Sequence, residues 1–128
     1  MKRLSWLCVS IVTIGCSSSS GSGSGVTGTK KLTELSTTEQ DQLCAYSVDI
    51  EGGPRTVSCS DGDVTIDDKA TCVASFDSLG AQCTATVDDA EACAEAMAKD
   101  PCNFTIDACT ALFTCVFDQG ALRQRALR

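Results

Sequence analysis

Histidine is absent from all 128 residues, tryptophan and tyrosine occur once each, phenylalanine four times and proline twice. Without an imidazole the chain lacks the one side chain whose ordinary pKa lies near neutrality. That excludes histidine general bases, Ser–His and Cys–His nucleophiles, and histidine-ligated metals. No Cys-x-x-Cys pair, Ser-x-x-Lys or Gly-x-Ser-x-Gly element occurs, so the usual zinc-site and acyl-transfer patterns are missing as well. The longest apolar run, Leu4 to Ile14, is eleven residues. A membrane-crossing helix needs about 20. Positive charge is scarce where it would matter. All 17 acids lie between Glu34 and Asp118, against only Arg55, Lys69 and Lys99 in the same span. A body so acidic repels nucleic acid, and three C-terminal arginines (Arg123, Arg125, Arg128) do not reverse that, so no nucleic-acid partner is expected.

What the chain does have is an ordered N-terminus and ten cysteines. Lys2 and Arg3 precede the apolar run, Gly15-Cys16 follows it, and a Ser/Gly stretch runs from Ser17 to Gly25. That order reads as an export signal, a cleavage point and a tether. Thr13-Ile14-Gly15-Cys16 resembles the lipobox of bacterial lipoproteins, with threonine where leucine is usual. In that family the cysteine after the small residue is lipidated and becomes the mature N-terminus. The resemblance therefore implies a lipid on Cys16, and Ser17 rather than aspartate after it implies the outer membrane. In layout the chain resembles small cysteine-rich bacterial lipoproteins of uncharacterised function. The expected organisation is a signal peptide over 1–15, a lipidated cysteine and flexible tether over 16–31, a cysteine-rich domain over 32–120 and a basic tail over 121–128. A Gly/Ser tether from Ser17 to Lys31 would have a root-mean-square reach of roughly 20 Å.

Cys8 leaves with such a signal and Cys16 is consumed by the lipid. The remainder, Cys44, Cys59, Cys72, Cys83, Cys93, Cys102, Cys109 and Cys115, is even in number, as a disulfide framework requires. The body needs it. From Leu32 to Gly120 the only aromatics are Tyr46, Phe76, Phe104, Phe113 and Phe117, too few for a self-sufficient core. Four bridges at about 2–4 kcal/mol each would decide the balance. Eight cysteines allow on the order of 100 pairings, and the sequence does not choose among them.

The local signals predict a mainly α domain: a small disulfide-stapled bundle of about four helices with one short β-hairpin. Ser36 and Glu39 form a capping box that opens a helix running to about Val48, and Gly52-Gly53-Pro54 stops it. Thr56–Ser60 and Asp63–Ile66 flank Asp61-Gly62, the signature of a hairpin with a type I′ turn. Asp67 or Asp68 caps a second helix through Leu79. A third runs from about Asp88 to Lys99, with Ala90, Cys93 and Met97 inward and Glu91 and Glu95 outward. A fourth spans about Ile106 to Phe117, with Ile106, Cys109, Phe113 and Val116 on its inner side and Leu112 beside them.

One acidic cluster has the spacing of a calcium loop, with Asp61, Asp63 and Asp67 as the candidate ligands. The glycine an EF-hand loop needs at its sixth position is replaced by Ile66, however, and alternation along a strand would set the same side chains on one solvated face. No cofactor is expected, and Asp88, Asp89, Glu91 and Glu95 suit a helix start better than an acid–base pair. The reading that results is a non-enzymatic, lipid-anchored protein of the cell envelope. It meets the membrane through its N-terminal lipid and presents an acidic interaction module to an envelope or extracellular protein. The alternatives are a soluble secreted factor, toxin-like or inhibitor-like, and a small-ligand carrier that uses the apolar helix faces as a cavity.

Overall fold

The computed structural model describes residues 23–103 and 106–116. Its helices begin where the side chains can satisfy the first unpaired amides. Helix α1, Thr37–Ile50, opens on Ser36, whose hydroxyl accepts from the Glu39 amide at 3.3 Å. The Glu39 carboxylate in turn accepts from the Ser36 amide at 2.8 Å. Such a cap stabilises a helix by about 1 kcal/mol. The helix ends as Gly52 and Gly53 turn to φ of +86° and +87° and the Gly53 amide donates back to the Val48 carbonyl at 2.8 Å. Glycine adopts that conformation without steric cost.

The chain then forms the hairpin β1, Arg55–Cys59, and β2, Gly62–Ile66, paired antiparallel with Val57 opposite Val64 and Cys59 opposite Gly62. The turn residues are thus Ser60 and Asp61, one position earlier than Asp61-Gly62, and neither has a positive φ. This corrects the type I′ expectation. Such a turn needs positive φ at both central residues, which is costly for an aspartate. The observed register leaves the only positive φ of the turn region, +132°, on Gly62.

Helix α2, Lys69–Ser75, is capped by Asp68, which accepts from the Thr71 amide at 2.7 Å, and passes into a 3₁₀ turn over Phe76–Ser78. Helix α3, Val87–Lys99, starts one residue before the expected position. Thr86 is its cap, and Asp89 closes a second capping box by accepting from the Thr86 amide at 2.8 Å. After a 3₁₀ turn over Asp107–Cys109 the chain is helical through residues 110–116, here α4. Seven residues are too few for a helix to persist alone. α4 is instead held through Cys83–Cys115, while the turn before it is held through Cys93–Cys109.

The other two bridges are Cys44–Cys72, joining α1 to α2, and Cys59–Cys102, joining the hairpin to the loop after α3. All eight cysteines expected to pair do so, across sequence separations of 28, 43, 32 and 16 residues. The fold is mainly helical, with one two-stranded sheet and four disulfides. α1 packs on both α2 and α3. The core gathers Val26, Leu32, Leu35, Leu43, Ala85 and Val87 around the Cys83–Cys115 bridge, with Phe76, Leu79 and Leu112 packed at its edge. Among the described residues no helix is long and apolar enough to cross a membrane.

Three expectations are corrected by this packing. The tether expected over 16–31 is, from residue 23 onward, part of the body. Val26 is 4% exposed, Lys31 bridges Thr86, and the Asp88 and Val87 amides donate to the Gly28 and Lys30 carbonyls at 2.8 and 3.0 Å. Gly28 allows the approach, because a Cβ there would run into the Asp88 carboxylate. On α4, Phe113 and Val116 are 37% and 58% exposed, whereas Cys109 and Cys115 are buried; the two bridges set which face turns inward. On α3, Glu91 is buried, at 7% exposure, beside Val87 and Ala94. The expected helix end at Phe117 lies outside the described residues, as do Cys16 and the tail over 121–128.

Candidate functional site

The residues singled out in the sequence as possible calcium ligands do not converge. Asp61 sits in the hairpin turn, Asp63 is on the exposed face of β2, and Asp67 is exposed just beyond it, while Val64 and Ile66 alternate inward. Among the described residues no group of three or more acidic or cysteine side chains is placed to hold a metal ion. The strand period that spaces the carboxylates also spreads them along a solvated edge.

Two other carboxylates are placed with more consequence. Glu91, on α3, accepts from the Gly23 amide through Oε2 and from the Ser24 amide through Oε1, both at 2.9 Å. A buried carboxylate needs such donors, and two backbone amides from the N-terminal strap supply them. Tyr46 covers the same end. Its hydroxyl donates to Glu95 at 3.1 Å, and its ring leaves no room for a side chain at residue 23. Burial pushes the Tyr46 phenol above its ordinary pKa, and the neighbouring Glu95 adds to the rise.

The second is Glu51, at the C-terminal end of α1. Leu43, Ser47 and Glu51 follow one another at helical spacing along one wall of a cleft of about 240 Å³. Cys72, Phe76 and Leu79 form the facing wall, Ala90, Cys93 and Ala94 of α3 the floor, and Leu112 and Val116 of α4 one end. The lining is predominantly apolar. Glu51 is half-buried, and its carboxylate makes no hydrogen bond or ion pair with any described residue. Burial lifts its pKa above the ordinary carboxylate value; Asp67 adds to the rise and Arg55 opposes it. The Arg55 guanidinium donates to the main-chain carbonyl of Glu51 rather than to its carboxylate.

Concave, mostly apolar surfaces with a few polar groups are the usual form of small-molecule sites. Ser47 and Ser75 add two hydroxyls to the lining, and Glu51 is its one carboxylate. Glu51 is not among the residues its type alone singles out, yet its period is legible in the sequence. Leu43, Ser47 and Glu51 recur every four residues, on the same side of α1 as the buried Cys44.

No protein-family model, curated protein or solved structure matches the chain.

Proposed function

We propose that the chain is exported, lipidated at Cys16 and held on the outer membrane. Its body, a stapled bundle of about four helices with one hairpin, then acts as a non-enzymatic interaction module for another protein of the envelope or extracellular space. The observation that carries this reading is the pairing of all eight body cysteines into four bridges, which suits an oxidising compartment outside the cytoplasm. The order of Lys2-Arg3, apolar run and Gly15-Cys16 supplies the route and the anchor. Attached acyl chains stabilise membrane residence by about 0.8 kcal/mol per buried methylene, and two or more chains hold a protein stably.

The packed strap sharpens the geometry of that anchor. Only six residues separate Cys16 from Gly23, a span of about 20 Å when extended, so the body rides close to the head groups. An acidic surface favours a basic partner, and contacts of that kind weaken as salt rises.

The reading is tested by fractionating cells that produce the wild-type chain or Cys16→Ser, followed by cross-linking on intact cells. The wild type should sediment with membranes and yield discrete, salt-sensitive adducts, while Cys16→Ser should leave the membrane fraction. Equal partition of the two proteins would overturn the anchor, and absence of any discrete adduct would overturn the interaction role.

A further inference from the structure

The cleft between α1, α2, α3 and α4 is lined mainly by apolar side chains, with Ser47, Glu51 and Ser75 among them. We infer that it binds a small aliphatic cation, whose hydrocarbon chain lies on Leu43, Phe76, Leu79 and Leu112 while its ammonium group meets the Glu51 carboxylate.

Three observations on the molecule lead to that class of ligand. The first is shape. On the scale of about 30 Å³ per water molecule, a cavity of about 240 Å³ has room for about eight small groups, a short chain rather than a sterol or a diacyl lipid. Its walls are covalently fixed, because Cys44–Cys72 ties α1 to α2 and Cys93–Cys109 ties α3 to the turn that starts α4. A pre-formed cleft spares an entering ligand the cost of ordering it.

The second is the state of Glu51. Among the described residues, every other carboxylate that the fold draws inward or into a cap has a partner. Glu91 holds two amides, Glu39 holds Lys30 and the Ser36 amide, Asp68 the Thr71 amide and Asp89 the Thr86 amide. Glu51 is drawn inward without one, at the margin of an apolar surface that raises the free energy of its charge. Arg55, the nearest cation, is engaged with the main chain. A ligand that brings its own positive charge and hydrogen-bond donors relieves that penalty, and a neutral ligand does so only in part.

The third is the surrounding field. Between Gly23 and Asp118, seventeen acids against five basic residues (Lys30, Lys31, Arg55, Lys69 and Lys99) concentrate small cations and repel carboxylates of the same size. Asp67, close enough to raise the Glu51 pKa, adds to the negative potential at the margin of the cleft. Among six-carbon ligands, n-hexylammonium is therefore favoured, n-hexanol is tolerated and n-hexanoate is rejected.

The test is isothermal titration of the exported, fully oxidised protein with each of these compounds at low ionic strength. The result expected is saturable binding of n-hexylammonium, at least about tenfold tighter than n-hexanol, with no measurable binding of n-hexanoate. Glu51→Gln should weaken n-hexylammonium by about tenfold and leave n-hexanol unchanged, which separates the charge from the cavity. Leu79→Trp, which fills the cleft from its wall, should abolish both, with retained helicity and all four bridges confirming that the variant is folded. Failure of n-hexylammonium to bind, n-hexanoate binding as tightly as the amine, or a Glu51→Gln affinity equal to wild type would each overturn the inference.

Discussion

Replacing Glu91 with alanine should detach the N-terminal strap and cost the protein a sizeable part of its stability. Glu91 is 7% exposed, and its carboxylate is the acceptor for two amides, those of Gly23 and Ser24, each at 2.9 Å. A hydrogen bond to a charged group contributes about 1.5–3 kcal/mol net. Two bonds therefore set an upper figure of about 3–6 kcal/mol, and ordering two or three strap residues that would otherwise be free offsets about 1–2 kcal/mol for each. The balance is a loss of about 2 kcal/mol. Val26 adds to it if the strap lifts, because its buried side chain contributes about 1.5 kcal/mol or more. Glutamine at the same position is informative, since a carboxamide offers one oxygen where the carboxylate offers two and turns an N–H toward the second amide. Glu91→Gln should therefore lie between wild type and Glu91→Ala. Urea unfolding with the disulfides intact measures the loss, and amide hydrogen exchange locates it. Protection should fall at residues 23–32 while the centre of α1 is unchanged. A loss for Glu91→Ala below about 0.5 kcal/mol, with the strap amides still protected, would refute the reasoning.

Three further outcomes follow from the packing and the charges. Leu43, 2% exposed between the core and the cleft, should cost about 2–4 kcal/mol when changed to alanine, measured by the same urea titration; a cost under 1 kcal/mol would show that the site collapses freely. Under graded reduction with alkylation and peptide mapping, Cys59 and Cys102 should be labelled first. Theirs is the bridge without a buried member, whereas Cys44, Cys83, Cys109 and Cys115 are all buried; prior labelling of any other pair would contradict the fold. Glu39 is held down to a pKa of about 2 by the Lys30 ammonium first and the Ser36 amide second. Its folded pKa lies below the ordinary value, so its contribution is present above about pH 4.3 and is lost as pH falls through about 2. The thermal midpoint of Glu39→Gln should accordingly lie below wild type at neutral pH, and the two should converge near pH 2. A constant difference across that range would count against the capping role.

The features legible in the sequence are those set within a few residues. The Ser36–Glu39 box, the Asp68 cap, the Gly52-Gly53 stop and the existence of a hairpin all depend on neighbours along the chain, and each is where local chemistry puts it. Features set by distant contacts were less legible. The bridge pairing joins residues 16 to 43 positions apart, and nothing in the spacing selects it. The strap reads as tether because all nine residues from Ser17 to Gly25 are serine or glycine, types that favour coil when nothing holds them. What holds it comes from far along the chain: Glu91, more than sixty residues away, and the main chain of Thr86 to Asp88, with Val26 buried beneath.

Glu91 and Glu51 share a cause of misreading: side-chain type was weighed above period. Val87, Glu91 and Ala94 stand at i, i+4 and i+7, and Leu43, Ser47 and Glu51 at i, i+4 and i+8; both spacings keep to one face of a helix. A carboxylate on an inward stripe needs an internal donor or a ligand. Glu91 has the donors; Glu51 has the cleft. Asp61, Asp63 and Asp67 have the spacing of a calcium loop, but strand alternation gives the other reading of the same spacing, and the hairpin keeps them on an open edge.

The account rests most heavily on export and anchoring, and the intact mass of the protein from its native cells, taken before and after reduction, tests both at once. The account predicts a chain that begins at Cys16, carries acyl mass and gains two hydrogens for each of its four bridges on reduction. A chain without acyl mass that begins after Cys16, or one whose mass does not change on reduction, would contradict it.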